Sequence, residues 1–341
     1  MMVRRWLVMI GAVGAMCGLA DTAKADTTTL KIGTLAPAES PWGQVFKVWK
    51  TGVCQRSGGT VEGKTCSNGS LELQFFWNGQ QGDETAMIGK IRTGQLDGAA
   101  VTAVGLGQIY KHVLVLQMPG LFREWSKLDA ARAVLRPQFD TEFEKAGFRV
   151  LGWGDVGRAH LMSKGFMVNV PADLKHKNVS YLPGDPVAPM LYSLIGDITP
   201  KQISVTEVLP ALTSGTLNVL NTPALAAEQL QWASRLDHIN TMVSGIGIGA
   251  LIFSSSKMKS LPPDAQAVLT ETGKVAGEAL SKRIRQEDDA AFERLKKRMT
   301  SYEPSAAQQA EWAKLFADTR NKLRGSTFNP QIFDEAVKAA Q

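Results

Sequence analysis

Gly58 and the run Gly63-Lys64-Thr65 carry the spacing of a phosphate-cradling loop, in which backbone N–H groups and a lysine hold a nucleotide's phosphates. Such a loop works where a buried strand turns into a helix. Here the match follows a helical pattern, runs into Cys66-Ser-Asn-Gly-Ser70 and lies largely between two cysteines, so nucleotide binding is set aside. Gly245-Ile-Gly-Ile-Gly249 has part of a dinucleotide fingerprint but leads into the apolar strand Ala250 to Ser254 instead of linking a strand to a helix. Close backbone packing is the better account. His112, His160, His176 and His238 are scattered, and with Cys54 and Cys66 they form no zinc spacing. No G-x-S-x-G elbow offers a nucleophile, and the carboxylates show no acid–base pairing. Catalysis is therefore the weaker class, and neither a metal nor a cofactor is expected.

The first 25 residues read as a secretory leader. Arg4 and Arg5 precede an apolar run from Trp6 to Ala20, and Ala23-Lys24-Ala25 supplies the small-residue cleavage site, which places the mature start near Asp26 and the protein outside the cytoplasm. No later segment has the roughly 18 uninterrupted apolar residues of a membrane span. Cys17 leaves with the leader, since Met16 is too bulky for a lipoprotein cleavage site. Cys54 and Cys66 remain as an even pair in an oxidising compartment, which predicts a disulfide pinning the polar, glycine-rich loop between them. Removing the leader lowers the formal net charge from +6 to +4. Much of that excess lies between Lys282 and Arg298, interleaved with Glu287, Asp288, Asp289 and Glu293, which is a solvated helix face and not a nucleic-acid surface.

The elements that must position any site alternate regularly. Leu30 to Leu35 reads as a strand, Ser40-Pro41 opens a helix with apolar positions at Trp42, Val45, Phe46, Trp49 and Val53, and Leu71 to Trp77 returns to strand. Asp83 caps a short helix ending at Gly94, Asp97 to Ala103 is a strand, and a helix over 126–145, with Ser126 and Asp129 as a capping box, leads to a strand over 148–154. A second series follows, with strands near 159–163, 178–181, 203–205, 217–220 and 239–243 and helices at 185–195, 206–214 and 224–234. Alternation of this kind predicts an α/β fold with parallel sheet and a ligand crevice at the strands' carboxyl ends. The length exceeds what one core usually holds, so two lobes joined by strand crossings are expected. A helical pattern over 264–299 is long enough to cross both.

The phrases Gly79-Gln80 before Glu84, Ile91-Arg-Thr-Gly94-Gln-Leu96-Asp97 and Met118-Pro-Gly-Leu-Phe122 resemble the extracytoplasmic solute receptors of tripartite ATP-independent periplasmic (TRAP) transporters. Gly147 to Trp153 with Gly157-Arg158, Pro171-Ala-Asp-Leu-Lys175, Gly196, Glu207 to Leu212 with Gly215, and Leu261-Pro262 with Gln266 continue the resemblance in order. It implies a two-lobe type II periplasmic-binding-protein fold with a hinge and a long C-terminal helix crossing both lobes. It also implies a small-molecule ligand and delivery to TRAP permease subunits in the membrane. On that pattern the lobes comprise 26–152 plus about 244–283, and 153–243 plus about 284–341.

Two departures bear on the ligand. Family members carry an arginine after the Pro-x-Asp-Leu-Lys segment, where it clamps a ligand carboxylate; this chain reads Lys177-Asn-Val-Ser180-Tyr-Leu-Pro183, with Ser180 in the arginine's place. The segment that usually reads Gly-x-Val-Asp-Gly-x-Glu-Asn-Pro is here Gly215 to Pro223, with Asn221 replacing an acid and Thr222 at the ligand-facing position. A neutral or largely apolar ligand is therefore favoured over a simple dicarboxylate. The resemblance and the crevice rule nominate Ser180, Asn221, Thr222, Thr102 and Asn78 as contacts, with Trp42, Trp77 and Trp153 as aromatic faces. Arg158 has two open readings, a lone anion contact in an organic-acid receptor or a structural ion pair. An exported enzyme or scaffold that retained the fold is the reading of another class.

Overall fold

The computed structural model describes residues 27–63 and 65–341. The leader and its cleavage after Ala25 lie outside them, as does Lys64 of the phosphate-loop match. A mixed sheet of eight strands runs through the molecule in the order Thr300–Tyr302, His238–Asn240, Phe148–Ser163, Gly245–Ser254, Gly98–Thr102, Thr28–Thr34, Leu71–Phe76, with Val219–Pro223 also pairing with Phe148–Ser163. Thr28–Thr34 is parallel to both its neighbours, as alternation with helices requires. Gly245–Ser254 runs antiparallel to Gly98–Thr102 on one side and to Phe148–Ser163 on the other.

Phe148–Ser163 is one strand of 16 residues, not two. Gly152, Gly154 and Gly157 suggest a break in sequence, yet they are where the strand passes close under the helix Pro263–Arg298: a Cβ on Gly277 of that helix would lie 2.5 Å from the Trp153 carbonyl oxygen. The strand's first part pairs with Gly245–Ser254, and its last five residues pair with Val219–Pro223. The helix itself has 36 residues, about 54 Å at 1.5 Å per residue, and buries Leu269, Ala276, Leu280, Ile284, Ala291 and Leu295 along one stripe. The α/β class and the long crossing helix are as the sequence implied.

Other expectations need correction. The helix Trp125–Lys145 has no capping box: Glu124 is its N-cap without a side-chain cap bond, Ser126 lies inside it, and Asp129 accepts both prongs of Arg285 at 2.8 and 2.6 Å. The second series is more irregular than its apolar spacing implies. Residues 203–205 form no strand, 178–181 reduces to Ser180–Tyr181, and the helix expected over 224–234 stops at Gln229, with a separate 3-10 turn at Trp232–Arg235. Gly245 to Gly249, read as packing ahead of a strand, are the first half of that strand.

Ser40 and Asp83 cap their helices as read, each accepting a backbone N–H. Cys54 and Cys66 form a disulfide that ties the end of the helix Pro41–Arg56 to the hairpin Thr60–Glu62/Thr65–Ser67. That hairpin contains most of the phosphate-loop match, which is neither preceded by a buried strand nor followed by a helix.

Candidate functional site

A cavity of about 390 Å³ opens where the carboxyl ends of Thr28–Thr34 and Gly98–Thr102 meet the crossing strand Phe148–Ser163. Its volume lies within the range of roughly 300–1,000 Å³ usual for small-molecule sites. Trp42 and Phe46 enter from the helix that Ser40 starts, Val187, Ala188, Leu191 and Tyr192 from the helix Val187–Ile195, and Trp312 and Phe316 from the helix Ala306–Leu323. The helix Val187–Ile195 is apolar along nearly its whole length, yet none of its residues is fully buried. Val187, Ala188, Leu191 and Tyr192 border the cleft, while Met190 and Ile195 pack against neighbouring apolar clusters.

Two tryptophan N–H groups are already engaged. Trp42 Nε1 donates to the Asp155 carbonyl at 3.4 Å and Trp312 Nε1 to that of Asn169 at 2.9 Å. With their donors bound to backbone, these rings offer the cavity apolar surface.

The charged groups on the cavity wall are all acids: Glu84, Asp155 and Asp185. No lysine, arginine or histidine lines it among the described residues. Glu84 accepts from the Thr102 N–H at 2.6 Å, the Thr102 hydroxyl at 2.8 Å and the Gly105 N–H at 2.7 Å. Burial raises its pKa above the ordinary carboxylate range, and these donors hold the rise in check. Asp185 is raised by burial in the same way, opposed by the N–H groups of Val187 and Ala188. Asp155 turns its carboxylate away from the cavity to Arg132 and to Arg285 Nε, the latter at 2.7 Å. Burial also raises Tyr192, whose hydroxyl donates to the Ser180 carbonyl at 3.1 Å.

Of the residues nominated from sequence, Trp42, Thr102, Ser180, Asn221 and Thr222 line the cavity, and Asn78, Trp77, Trp153 and Arg158 do not. Asn78 turns the chain after Leu71–Phe76 with φ 54°. Trp77 stacks on Phe75 and near Phe46, while Trp153 is buried against Phe139 and Phe143. Arg158 lies off the cavity for a reason of parity. Alternate residues of a strand face opposite sides, so where Ala159 and Leu161 face the cavity, Arg158 and His160 face the helix Pro263–Arg298. There Arg158 pairs with Asp289 at 3.0 Å and His160 stacks on Phe292 at 4.1 Å.

Sequence reading missed Gln117, Asp185, Tyr192, Trp312 and Phe316, all on the cavity wall. The unusually apolar run Val187 to Ile195 was the available signal for its helix. Gln117 had none, since it ends a short 3-10 turn, Lys111–Gln117, that matches no motif.

Comparison with known proteins agrees with this architecture. A solute-binding protein of Sulfitobacter sp. (strain NAS-14.1) is 24% identical over 213 residues, spanning 62% of this chain and 64% of its own length, just under two thirds. One from Verminephrobacter eiseniae is 23% identical over 267 residues, 77% of this chain and 75% of that one. Among solved structures, a TRAP periplasmic solute-binding protein of Bordetella bronchispeptica, with density assigned to pantoate, superposes with a TM-score of 0.81 at 21% identity, covering 92% of this chain and 99% of that one. Another from Sulfurospirillum deleyianum, with bound succinate, gives 0.82 at 17% identity, with coverage of 92% and 99%. At these identities the likeness shows the two-lobe fold. The model of the bacterial extracellular solute-binding proteins of family 7 matches residues 32–323, most of the sequence, and the chain belongs to that family.

Proposed function

We propose that this protein is the periplasmic solute receptor of a TRAP-type secondary transporter, closing two lobes on a neutral, largely apolar small molecule and presenting it to permease subunits in the membrane. The observation that carries the ligand class is the wall of the cavity, where carboxylates, amides and apolar side chains line the space without a single cationic side chain among the described residues. A carboxylate moved into such a site loses its water without gaining an ion pair, and the carboxyl groups of Glu84 and Asp185 lie on the same wall. Ser180 supplies only a hydroxyl where the family's clamp would stand, and Arg158 is held on the far face of the strand. The lobes are taken as 26–152 with about 244–283, and 153–243 with about 284–341, so that closure bends the crossing strand. Family membership and the leader-like first 25 residues support the periplasmic assignment.

An organic-acid ligand is the second reading, favoured by the succinate bound to one structural neighbour and the density assigned to pantoate in another. It requires an anion contact that the cavity wall lacks. The experiment is to denature the purified mature protein, identify the released small molecule by mass spectrometry and measure its rebinding by calorimetry. A neutral compound that rebinds supports the proposal, and an organic acid that rebinds overturns its ligand class.

A further inference from the structure

Gly245 lies on the cavity wall for no reason that backbone or packing supplies. Its φ is not in the left-handed region, and a Cβ built on it would meet nothing nearer than the Gln117 carbonyl oxygen at 4.0 Å. Gly249, four residues on, is different, because a Cβ there would sit 2.6 Å from the Val101 carbonyl oxygen. Gly245 is therefore small where space is left open and not where a neighbour presses.

Two amide side chains line the same cavity. Gln117 reaches the strand Gly245–Ser254 at its irregularity, where pairing with Phe148–Ser163 skips Val156 between Gly247/Gly157 and Ile248/Asp155. The Ile248 N–H lies 2.9 Å from Gln117 Oε1. A backbone N–H can only donate, so the oxygen of the Gln117 amide is fixed toward the strand and its NH₂ is turned away from it. Asn221 is held at the residue preceding Gly245, where the Ser244 hydroxyl shares its one proton between Asn221 Oδ1 at 2.7 Å and the Ala159 carbonyl oxygen at 3.1 Å. Both side chains line the cavity, and neither NH₂ group has a partner among the described residues.

Building on the neutral-ligand reading above, we infer that Gln117 and Asn221 determine specificity by donating to a neutral carbonyl oxygen of the ligand, which lies in the space left by Gly245. The ligand class is an apolar molecule bearing a ketone, ester or amide. An acceptor is required because both amide oxygens are engaged by the protein, and a neutral one because no cation accompanies the two donors.

The test uses three probes of similar size, 4-phenylbutan-2-one, butylbenzene and 3-phenylpropanoate, titrated calorimetrically into the purified mature protein. The wild type should bind the ketone about five- to tenfold more tightly than butylbenzene, the worth of one net hydrogen bond. Gln117→Leu removes the amide, and Gln117→Glu keeps an acceptor for Ile248 while removing the donors; both should reduce the preference for the ketone, and Gln117→Leu combined with Asn221→Leu should erase it. Gly245→Val should abolish ketone binding with little change in melting temperature, which keeps the inference testable if the Gln117 variants misfold. Ketone binding that is absent or no tighter than that of butylbenzene, or a preference that is undiminished in both Gln117 variants or survives in the double variant, overturns this inference alone. Tighter binding of 3-phenylpropanoate than of the ketone overturns the neutral-ligand reading on which it rests.

Discussion

Asp288 and Arg158 are joined through the main chain: the Asp288 carboxylate accepts the Arg158 backbone N–H at 2.7 Å, while the neighbouring Asp289 takes the guanidinium at 3.0 Å. Asp288 also accepts the Leu225 N–H at 2.9 Å, so one buried carboxylate fastens the long helix to the crossing strand and to the start of the helix Ala224–Gln229. The Arg158 side chain is thereby committed to the outer face, where it also lies over the Trp125 ring at 5.4 Å.

Arg158→Ala should leave affinity for any cavity ligand within about twofold of wild type. It should lower stability by about 1 kcal/mol through loss of a partly exposed ion pair and a cation–π contact. Urea denaturation and calorimetric titration of the same preparation separate the two effects. A loss of affinity well beyond twofold would return Arg158 to the binding site.

Ser180→Arg should create what the cavity lacks. Tyr192 bonds the Ser180 carbonyl, not its side chain, so the local anchoring survives the substitution. Binding of 3-phenylpropanoate, weak or absent in the wild type, should strengthen at least tenfold as a charge-assisted pair forms. Unchanged binding of the acid would mean that position 180 does not face the ligand.

Two buried groups near the crossing strand should give stability opposite pH slopes. Burial raises Asp288 to about 6, so its contribution is full below the ordinary carboxylate range and is lost as pH rises through 6. Burial lowers His160 to about 4, so its contribution is full above the ordinary imidazole range and is lost as pH falls toward 4. Relative to wild type, Asp288→Asn should gain up to about 3 kcal/mol on going from pH 4 to pH 6.5, and His160→Phe a similar amount in the reverse direction. Urea midpoints at several pH values measure both, and a pH-independent difference for either variant would contradict its assignment.

Reducing the Cys54–Cys66 disulfide, which closes a loop of sequence separation 12, should lower stability by about 2–3 kcal/mol. Ligand affinity should not change, because neither cysteine borders the cavity. Melting curves with and without reductant, compared with a Cys54→Ser/Cys66→Ser double variant, test this.

Local rules carried much of the fold. Ser40-Pro41 and Asp83 announce helices through capping chemistry that needs no tertiary partner, and the stripe from Leu269 to Leu295 repeats long enough to be unmistakable. The strands at the lobe junction were harder, because Gly152, Gly154 and Gly157 look like interruptions until the helix that packs onto them is present. That error extended to the site: once residues 148–163 are a single strand, parity turns Arg158 outward and Ala159 inward. Ser180, Asn221, Thr222 and Thr102 were found because a motif or a strand end marked them. Gln117 was not, because what recruits it is the unpaired N–H of Ile248, a product of sheet register that no local pattern encodes.

The strand Phe148–Ser163 is common property of the two lobes, pairing with Gly245–Ser254 at one end and Val219–Pro223 at the other. A cut anywhere within Phe148–Ser163 would part these two pairings from each other. In folding terms the two pairings are linked, because loss of either one bares an edge of the same ribbon.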